Sequence, residues 1–454
     1  MKQKTTFVCN ECNAPFPKWL GRCTNCSAWD SIEEVHQRMG NKNNRIFETN
    51  TTTTVLYLDE VPAQEKKRIT TNNNELDRVL GGGITQGSLI LLGGDPGIGK
   101  STLLLQMCAT IPEDIVPLYI TGEESLYQVK MRSERLFETK RKIKIAAETD
   151  MTLLDPIISS DEFGLVIVDS IQTVYDPHLD APPGSTTQIR QCASLLMKYA
   201  KQLGKPIFLI GHVTKEGTIA GPKILEHMVD TVLQFEGDKT LSYRIVRALK
   251  NRFGPTNELG IFQMVKNGLQ EVTNPSELFM SDYSTSYAGT SITSTIEGTR
   301  TLLIEIQALV AKTPYPQPQR SINGYDYKRF QMIVAVLEKR IGLGLRESDV
   351  FVNIVGGLFI EDPAVDLAIA CAIVSSYKDT VIKDKTVIIG EIGLTGEVRA
   401  VSDIEKRLSE VKKLGFKTAI IPKSNAAKLE PQASLEIISV ERISLAIAQL
   451  FNEK

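Results

Sequence analysis

A phosphate-binding loop is the feature that most restricts the fold of this 454-residue chain. The run GDPGIGKS at 94–101 fits the pattern G-x-x-x-x-G-K-[S/T], with an apolar stretch before it and a helical stretch after it. Glycines let backbone N–H groups at a helix N-terminus wrap a polyphosphate. We expect Lys100 to reach the β- and γ-phosphates of a nucleoside triphosphate and Ser101 to bind Mg²⁺. The residues expected to contact the nucleotide are Gly94, Asp95, Pro96, Gly97, Ile98, Gly99, Lys100, Ser101 and Thr102.

The surrounding region, 61–275, alternates short β-branched runs with helical stretches. This alternation is typical of an α/β fold, in which parallel strands are joined by crossover helices. Asp169 follows the apolar run 165–168, at a strand end where an acidic residue can hold the Mg²⁺ shell. The strand candidates are 88–92, 116–120, 165–168, 206–210, 231–235 and 241–249.

Two further polar side chains follow strand candidates of this region. Glu123, in TGEES at 121–125, is expected to polarise the attacking water; the alternative is that Glu123 and Glu124 only favour the first turn of a helix. His212 is a candidate sensor of the γ-phosphate, although a lone histidine is often structural. The long segments 175–187 and 214–223 are expected to contact a ligand, with surface decoration as the alternative.

Four cysteines near the N-terminus indicate a metal module. Cys9, Cys12, Cys23 and Cys26 form two C-x-x-C pairs separated by ten residues, a spacing that lets four thiolates converge on one Zn²⁺. Two redox pairs are the alternative reading. We assign 1–35 to this four-cysteine zinc module and 36–60, which is polar and aperiodic, to a linker.

Bulk properties exclude some classes of protein. The chain has 52 Lys and Arg against 54 Asp and Glu, so its overall field does not attract nucleic acid, and any such binding must be local. No apolar run is long enough to span a bilayer and no signal peptide is recognisable, so a cytoplasmic protein without membrane partners is expected. Cys108, Cys192 and Cys371 are expected to be buried apolar residues.

Several motifs together are similar to the bacterial RadA (Sms) family of DNA-repair proteins. They are the four-cysteine pairs, GGDPGIGKST (93–102), TGEES (121–125), LVIVDSIQT (165–173), GHVTKEGTIAGPKILEHMVDTVLQFEGD (211–238) and KNRFGPTNELGIFQM (250–264). The resemblance implies a RecA-like ATPase core and a hexameric ring on single-stranded DNA. It also implies branch migration of recombination intermediates, on branched DNA, in cooperation with RecA recombinase.

The resemblance also assigns residues. Lys250 and Arg252, in the KNRFG segment (250–254), fall on a signature of the family, and either could reach a neighbouring subunit's nucleotide. An exposed basic strand end is the alternative. The loops after Ile171 and Val213 correspond to DNA-binding loops, with Lys215 and Lys223 as phosphate contacts.

The C-terminal region, 299–454, is expected to be a separate α+β domain after a linker at 276–298. GEIGLTGEVRAV (390–401) and GFKTAIIPKSN (415–425) resemble the proteolytic domain of Lon proteases. Lon-type hydrolysis needs a serine activated by a lysine amine, but Ala364 stands at the serine position and Lys406 has no hydroxyl partner. The domain is therefore expected to serve ring assembly or double-stranded DNA contact. The candidate basic residues for that contact, which could equally form an ordinary solvated face, are Lys339, Arg340 and Arg346.

Three hypotheses about function remain at this point. The leading one is a DNA-dependent ATPase motor that moves on single strands and extends recombination joints. The second is a nucleotide-switched recombination scaffold without translocation. The third, an ATP-dependent Lon-type peptidase, is disfavoured by Ala364.

Overall fold

The computed structural model describes residues 67–137, 141–212, 225–237, 243–280, 287–430 and 434–451, residues 21, 22, 57 and 59, and the backbone alone of residue 224 and of three strands nearer the N-terminus. The chain forms two compact units, Met1–Glu65 and Lys66–Lys454. In the first, β1 (Lys4–Cys9), β2 (Pro15–Phe16) and β3 (Ile32–Gln37) pair antiparallel in the order β2-β1-β3. Cys9 ends β1, whereas Cys12, Cys23 and Cys26 lie outside the described residues.

The N-terminal part of the second unit contains a large sheet that carries the phosphate loop. Its elements to residue 280 are β4 (Arg68–Ile69), α1 (Asn74–Val79), β5 (Ile84–Thr85), β6 (Leu89–Gly94), α2 (Lys100–Thr110), β7 (Pro117–Thr121), α3 (Leu126–Leu136), β8 (Lys144–Ala147), α4 (Met151–Ser159), β9 (Leu165–Asp169), α5 (Thr186–Leu203), β10 (Ile207–His212), α6 (Ile224–Met228), β11 (Thr231–Glu236), β12 (Tyr243–Asn251), β13 (Leu259–Val265), β14 (Gly268–Glu271) and a 3₁₀ turn at Pro275–Phe279. Within the described residues the sheet has nine strands, in the order β14-β13-β12-β11-β6-β10-β9-β7-β8.

The six expected strands are all present, with ends shifted by two residues or fewer. Strands β6 to β11 run parallel, as the alternation of strands and helices predicted. Strands β12, β13 and β14 extend the sheet antiparallel. The sequence did not indicate β8, β13 or β14: β8 is only partly buried and lies at the sheet edge, so its apolar signal is weak.

The helices around this sheet differ in how their N-termini are capped. Helix α3 begins at a capping box in which Ser125 and Gln128 satisfy each other's backbone N–H groups. Asp150 and Ser185 cap α4 and α5 with their side chains, which accept from the N–H groups of Thr152 and Gln188. Helix α2 instead begins after Gly99, which has no side chain to cap it. The first N–H groups of α2 are therefore left to a ligand rather than to a cap.

The C-terminal part of the second unit is built on another sheet. Its elements are β15 (Thr290–Glu297), β16 (Arg300–Lys312), β17 (Arg320–Asn323), α7 (Tyr327–Val336), a π-helical turn (Leu337–Ile341), β18 (Ser348–Ile354), α8 (Asp366–Lys378), β19 (Thr386–Ile388), β20 (Glu391–Ile392), β21 (Val398–Arg399), α9 (Ile404–Lys413), β22 (Thr418–Pro422), α10 (Lys423–Ala426), β23 (Glu436–Val440) and α11 (Ile443–Phe451). Short 3₁₀ turns lie at Leu345–Glu347 and Pro363–Val365. In the described part of the chain this sheet has seven strands, in the order β17-β18-β16-β15-β19-β22-β23.

The range expected to be a linker, 276–298, contains one of these strands. Residues 290–297 form β15, which pairs along its full length with β16. Thr293, Ser294 and Thr295 are fully buried there. Hydroxyl side chains made this run look like a polar connection, but threonine is also a good strand former, and burial in the sheet decided the outcome.

The two large sheets of this unit share a hydrophobic core. Tyr243 and Ile245 of β12 and Ile261 of β13 belong to the same buried cluster as the helices and strands beyond residue 300. The Tyr243 ring meets Phe279 edge to face at 5.6 Å, and the Tyr243 hydroxyl donates a hydrogen bond to the carbonyl of Gly356. The antiparallel extension of the nucleotide-binding sheet is thus packed into the C-terminal region.

The region where a Lon-type nucleophile is expected contains a buried ion pair. Arg407 lies on the apolar face of α9 and is 1% exposed. Its Nη2 is 2.7 Å from Asp362 Oδ2, and its Nη1 donates to the carbonyl of Ser294 at 2.7 Å. Ala364 is buried beside Asp362, whereas the Lys406 amine is largely exposed and pairs with Asp403. The helix therefore directs an arginine, not a lysine, into this interior.

We predict that Asp362→Ala destabilises the protein by about 3–5 kcal/mol, because it leaves a buried guanidinium without its counter-charge. Urea unfolding of the full chain measures this change. Glu134→Ala, which removes one partner of an exposed i,i+4 pair with Lys130, is the matched control and should change the free energy of unfolding by about 0.5 kcal/mol or less. Equal effects of the two substitutions would contradict the assignment.

Candidate active site

The phosphate loop joins the end of β6 to the start of α2. Gly94 has φ 153°, and a Cβ there would lie 2.8 Å from the carbonyl oxygen of Phe235 on β11, so only glycine fits. Asp95, Pro96 and Gly97 are exposed, while Ile98 is buried. The loop therefore presents backbone to solvent at the N-terminus of α2, the geometry that binds a phosphate.

Lys100 lies inside this loop and is 4% exposed. Its Nζ donates hydrogen bonds to the carbonyls of Gly94 at 2.6 Å and Asp95 at 2.9 Å. Burial lowers the pKa of Lys100 to about 8, although nearby carboxylates, that of Asp169 foremost, act in the opposite direction. A polyphosphate in the loop would replace the two carbonyls as the partner of this amine and favour its charged form.

Asp169 ends β9, next to β7 in the sheet, and is largely buried. The hydroxyl of Tyr119 on β7 donates to Asp169 Oδ2 at 2.5 Å. Burial, together with the adjacent Asp169, raises the pKa of Tyr119 well above its ordinary value, so the phenol stays protonated as a donor. Tyr119 was not indicated by the sequence. Its only signal is a hydroxyl-bearing aromatic in the otherwise apolar run PLYIT.

Glu123 is tied to two residues on neighbouring strand ends. Ser170 Oγ donates to Glu123 Oε1 at 2.6 Å, and His212 Nε2 lies 3.0 Å from the same oxygen. Burial alone would raise the pKa of Glu123, but the hydrogen bonds from Ser170 and His212 outweigh it and lower the pKa. The carboxylate is therefore held ionised at the exposed side of the site, and Ser170 is a further residue that the sequence did not indicate.

His212 bridges the lysine and the glutamate. Its Nδ1 is 3.4 Å from Lys100 Nζ, which can only donate, and its Nε2 faces the Glu123 carboxylate, which can only accept. This pairing is satisfied by a neutral imidazole protonated at Nε2. The histidine thus connects the phosphate loop to Glu123 at the strand tip that leads into residues 213–223.

The two glutamates of TGEES differ in their contacts. Glu124 forms an ion pair with Arg132 of α3, whereas Glu123 faces Ser170 and His212. Both precede the cap Ser125, so neither lies in the first turn of α3, as the alternative reading required. Only Glu123 is placed among the other candidate site residues.

The KNRFG segment lies at the opposite end of the sheet from the phosphate loop. Strand β11 pairs Phe235 with Gly94 at the loop end and Thr231 with Ile90 at the other end. Strand β12 returns antiparallel, so Asn251 is paired with Thr231, far from the loop. Lys250 and Arg252 therefore cannot serve the phosphate loop of their own chain.

The contacts of these two cations differ. Lys250 Nζ donates to the carbonyls of Glu226 at 2.6 Å and Val229 at 2.8 Å, around the end of α6. The Arg252 side chain is 58% exposed and lies 3.7 Å from Asp230 Oδ1. Lys250 thus stabilises its own chain, while Arg252 presents most of its guanidinium to solvent.

The remaining predicted residues fall into two groups: some lie outside the described residues, and the others can be located in the structure. Lys215 and Lys223 lie outside the described residues, as do three of the four metal-module cysteines. The segment 175–187 is ordered: the Gln188 side chain accepts from the Asp176 N–H at 2.8 Å and donates to the carbonyl of Ala181 at 3.0 Å. Cys108, Cys192 and Cys371 are buried free thiols, as expected.

Two protein-family models match parts of the chain. Residues 7–34, which hold all four N-terminal cysteines, match the rubredoxin metal binding domain. Residues 327–425, which include α7, α8 and α9, match subunit ChlI of Mg-chelatase. The expected fold class is confirmed: a RecA-like P-loop core lies between a zinc ribbon and a Lon-protease-like domain. In the described residues, no helix combines the length and apolarity that crossing a bilayer requires.

Relatives match nearly the whole chain. "DNA repair protein RadA" of Halalkalibacterium halodurans is 47% identical over 449 residues, and that of Bacillus subtilis is 47% identical over 450; each alignment covers 98% of both chains. The protein of the same name from Listeria monocytogenes is 45% identical over 448 residues, again covering 98% of both chains. This chain therefore belongs to the RadA family, as its motifs indicated.

Proposed function

We propose that this protein is a DNA-dependent ATPase of recombination and repair, which works as a hexameric ring on single-stranded DNA. In this proposal it promotes branch migration of recombination intermediates together with RecA recombinase in the cytoplasm. The observation that carries the proposal is the convergence of Lys100, Glu123, Asp169 and His212 at one edge of the sheet, with the KNRFG segment at the other. The relatives are named as DNA repair proteins, which supports the choice of DNA as the partner.

The site residues fit a magnesium nucleotide. In the proposed complex Lys100 would bind the β- and γ-phosphates, and Ser101 and Asp169 would hold a magnesium ion, whose charge would stabilise the negative charge of the phosphates. Tyr119 fixes the Asp169 carboxylate through the 2.5 Å hydrogen bond. Because that hydrogen bond is made to Oδ2, Oδ1 is the oxygen of Asp169 that we propose for the metal.

Glu123 is proposed to orient and deprotonate the attacking water. Its ionised carboxylate is a competent acceptor, and Ser170 and His212 hold it in place. His212 is proposed to sense the γ-phosphate, because a phosphate that draws Lys100 away also removes the lysine from His212 Nδ1. The signal would pass directly into residues 213–223, where Lys215 and Lys223 are proposed DNA contacts.

The separation of the KNRFG segment from the phosphate loop supports catalysis between subunits. A cation that cannot reach its own nucleotide can complete the site of a neighbour in a ring, and hydrolysis then requires assembly. Arg252 is the better placed of the two candidates, since the Lys250 amine is bound to carbonyls of its own chain. This arrangement favours a motor over the alternative of a switched scaffold, which would not need a trans-acting cation.

A peptidase activity finds no support in the C-terminal region. Ala364 has no nucleophilic atom, and the adjacent interior is filled by the Arg407–Asp362 pair. We propose that the Lon-like domain assembles the ring. Lys339, Arg340 and Arg346 are retained as proposed contacts to double-stranded DNA.

We predict that single-stranded oligothymidylate stimulates ATP turnover of the full chain and that Lys100→Ala lowers the stimulated rate on the order of 10²–10³-fold. Phosphate release with and without oligonucleotide measures both effects. Strand displacement on a branched substrate separates the motor from the scaffold. Turnover that ignores oligonucleotide would contradict the proposal, and casein digestion tests the peptidase alternative.

Glu123→Gln is predicted to lower turnover by about 10²–10⁴-fold while nucleotide still binds, because the amide keeps the shape but loses the base. Glu124→Gln is the matched control, since Glu124 is paired with Arg132 away from the site. Turnover and binding of a fluorescent ATP analogue are measured for both. A larger loss of turnover with Glu124→Gln would reverse the assignment.

Arg252→Ala is predicted to abolish stimulated turnover, and mixing it with inactive Lys100→Ala subunits should restore part of the activity. In mixed rings an intact phosphate loop meets an intact arginine from its neighbour. The mixture is assayed across molar ratios against each variant alone. Failure of complementation, or full turnover with both Lys250→Ala and Arg252→Ala, would rule out an intersubunit cation in this segment.

A further inference from the structure

A cationic cavity lies where α1 and the residues after β14 meet the start of β16 and helix α9. We name it the junction cavity; its volume is about 440 Å³. Four basic side chains line it: Arg78, Arg300, Lys406 and Lys413. Five serine or threonine residues, Asn274, Pro275 and a single carboxylate, that of Glu410, complete the lining. Such a combination of guanidinium, ammonium and hydroxyl groups is the chemistry that binds phosphate.

Two arginines of the junction cavity share one carboxylate. Both oxygens of Glu75 accept from Arg300 Nη1, at 2.9 and 2.7 Å, and Glu75 Oε2 also accepts from the N–H of Ile261. Glu75 and Arg300 are largely buried. Arg78 lies beside the same carboxylate with its Nε 3.8 Å from Oε1. The triad therefore carries one positive charge in excess, and Arg78, whose side chain is 35% exposed, is its most solvated member.

The surplus charge is accompanied by an unmet hydrogen bond. Arg78 Nε is buried and has no hydrogen-bond partner in the structure. A separation of 3.8 Å from Glu75 is too long for a hydrogen bond. Burial, opposed by Glu75 but reinforced by the Arg78 charge, lowers the pKa of Arg300, which marks incomplete compensation at the triad. A buried donor of this kind is costly unless a ligand or water completes it.

The two lysines of the cavity can exchange their present ion-pair partners for a ligand at little cost. Lys406 pairs with Asp403 at 2.8 Å and Lys413 with Glu410 at 3.3 Å, both as i,i+3 pairs on α9. Both ammonium groups are about two-thirds exposed, and pairs of that kind contribute little. A dianion in the cavity can therefore recruit both lysines at small cost.

We propose that the junction cavity is a binding site for a phosphate group, held by Arg78 and Arg300 on one side and by Lys406 and Lys413 on the other. The site is independent of the phosphate loop and of the hydrolysis proposed there. Its walls come from α1, which precedes the phosphate loop in the chain, and from α9 of the Lon-like domain. Occupancy would clamp these two parts of the molecule together.

The test uses the full chain carrying Lys100→Ala, so that the phosphate loop does not compete, with inorganic pyrophosphate as the probe in isothermal titration calorimetry. Arg78→Gln in this background is expected to weaken binding roughly 10- to 100-fold, because a charge-assisted hydrogen bond is lost. Lys413→Gln, an exposed substitution that does not threaten folding, is expected to weaken binding roughly two- to fivefold. Lys428→Gln removes the same charge from an exposed position outside the cavity and is expected to leave binding unchanged.

A competition arm identifies the source of the phosphate. If a single-stranded oligonucleotide displaces pyrophosphate and its own affinity falls with Arg78→Gln, the phosphate belongs to a nucleic acid. If pyrophosphate binds without such competition, the ligand is a small phosphate compound. Absence of pyrophosphate binding, or equal effects of Lys413→Gln and Lys428→Gln, would overturn the proposal even if Arg78→Gln failed to fold.

Discussion

The parallel register of β6, β7, β9 and β10 is the constraint on which the candidate site depends. It pairs Gly94 with His212 through β6 and β10, and Thr121 with Asp169 through β7 and β9. Because the carboxyl ends of parallel strands lie at the same end of the sheet, side chains more than a hundred positions apart in the chain become neighbours. The bridge from Lys100 through His212 to Glu123 joins the ends of three strands at this end of the sheet.

The electrostatics of the site depend on the amine of Lys100, which lies in an environment unfavourable to its charge. Lys100 is buried against backbone carbonyls, and burial brings its pKa to about 8. The neighbouring carboxylates partly offset that cost, yet they also repel one another and would repel a free phosphate. A phosphate accompanied by a divalent cation would resolve both conflicts, because in the proposed complex the cation would meet Asp169 while the phosphate would meet the lysine. The site is in this sense complementary to the metal complex of a nucleotide rather than to either component.

The sequence predicted those residues that belong to a recognisable local pattern, and it missed those whose roles depend on contacts with residues distant in the chain. The phosphate loop, Asp169, Glu123 and His212 follow apolar strands and are brought together as expected, although their chemical roles stay predictions. Tyr119 and Ser170 were missed, since a hydroxyl in a strand or turn has no periodic signature. Arg407 was missed for a related reason. Its spacing from Ile404 and Leu408 places it on the apolar face of α9. A charged residue is nevertheless expected to face solvent unless its buried partner, here Asp362, is known. Strand β15 was obscured by its buried threonines.

Strand β12 links the two halves of the second unit to the proposed intersubunit contact. Its first residue, Tyr243, packs on Phe279 within the C-terminal core, and its last, Asn251, lies within the KNRFG segment. A strand is stiff along its length, so a displacement of the Lon-like domain relative to the nucleotide-binding sheet would carry Arg252 with it. If the Lon-like domains set the spacing of subunits in a ring, they also set the distance between Arg252 and the neighbouring phosphate loop. A domain without a hydrolytic nucleophile can in this way control hydrolysis at a site to which it contributes no residue.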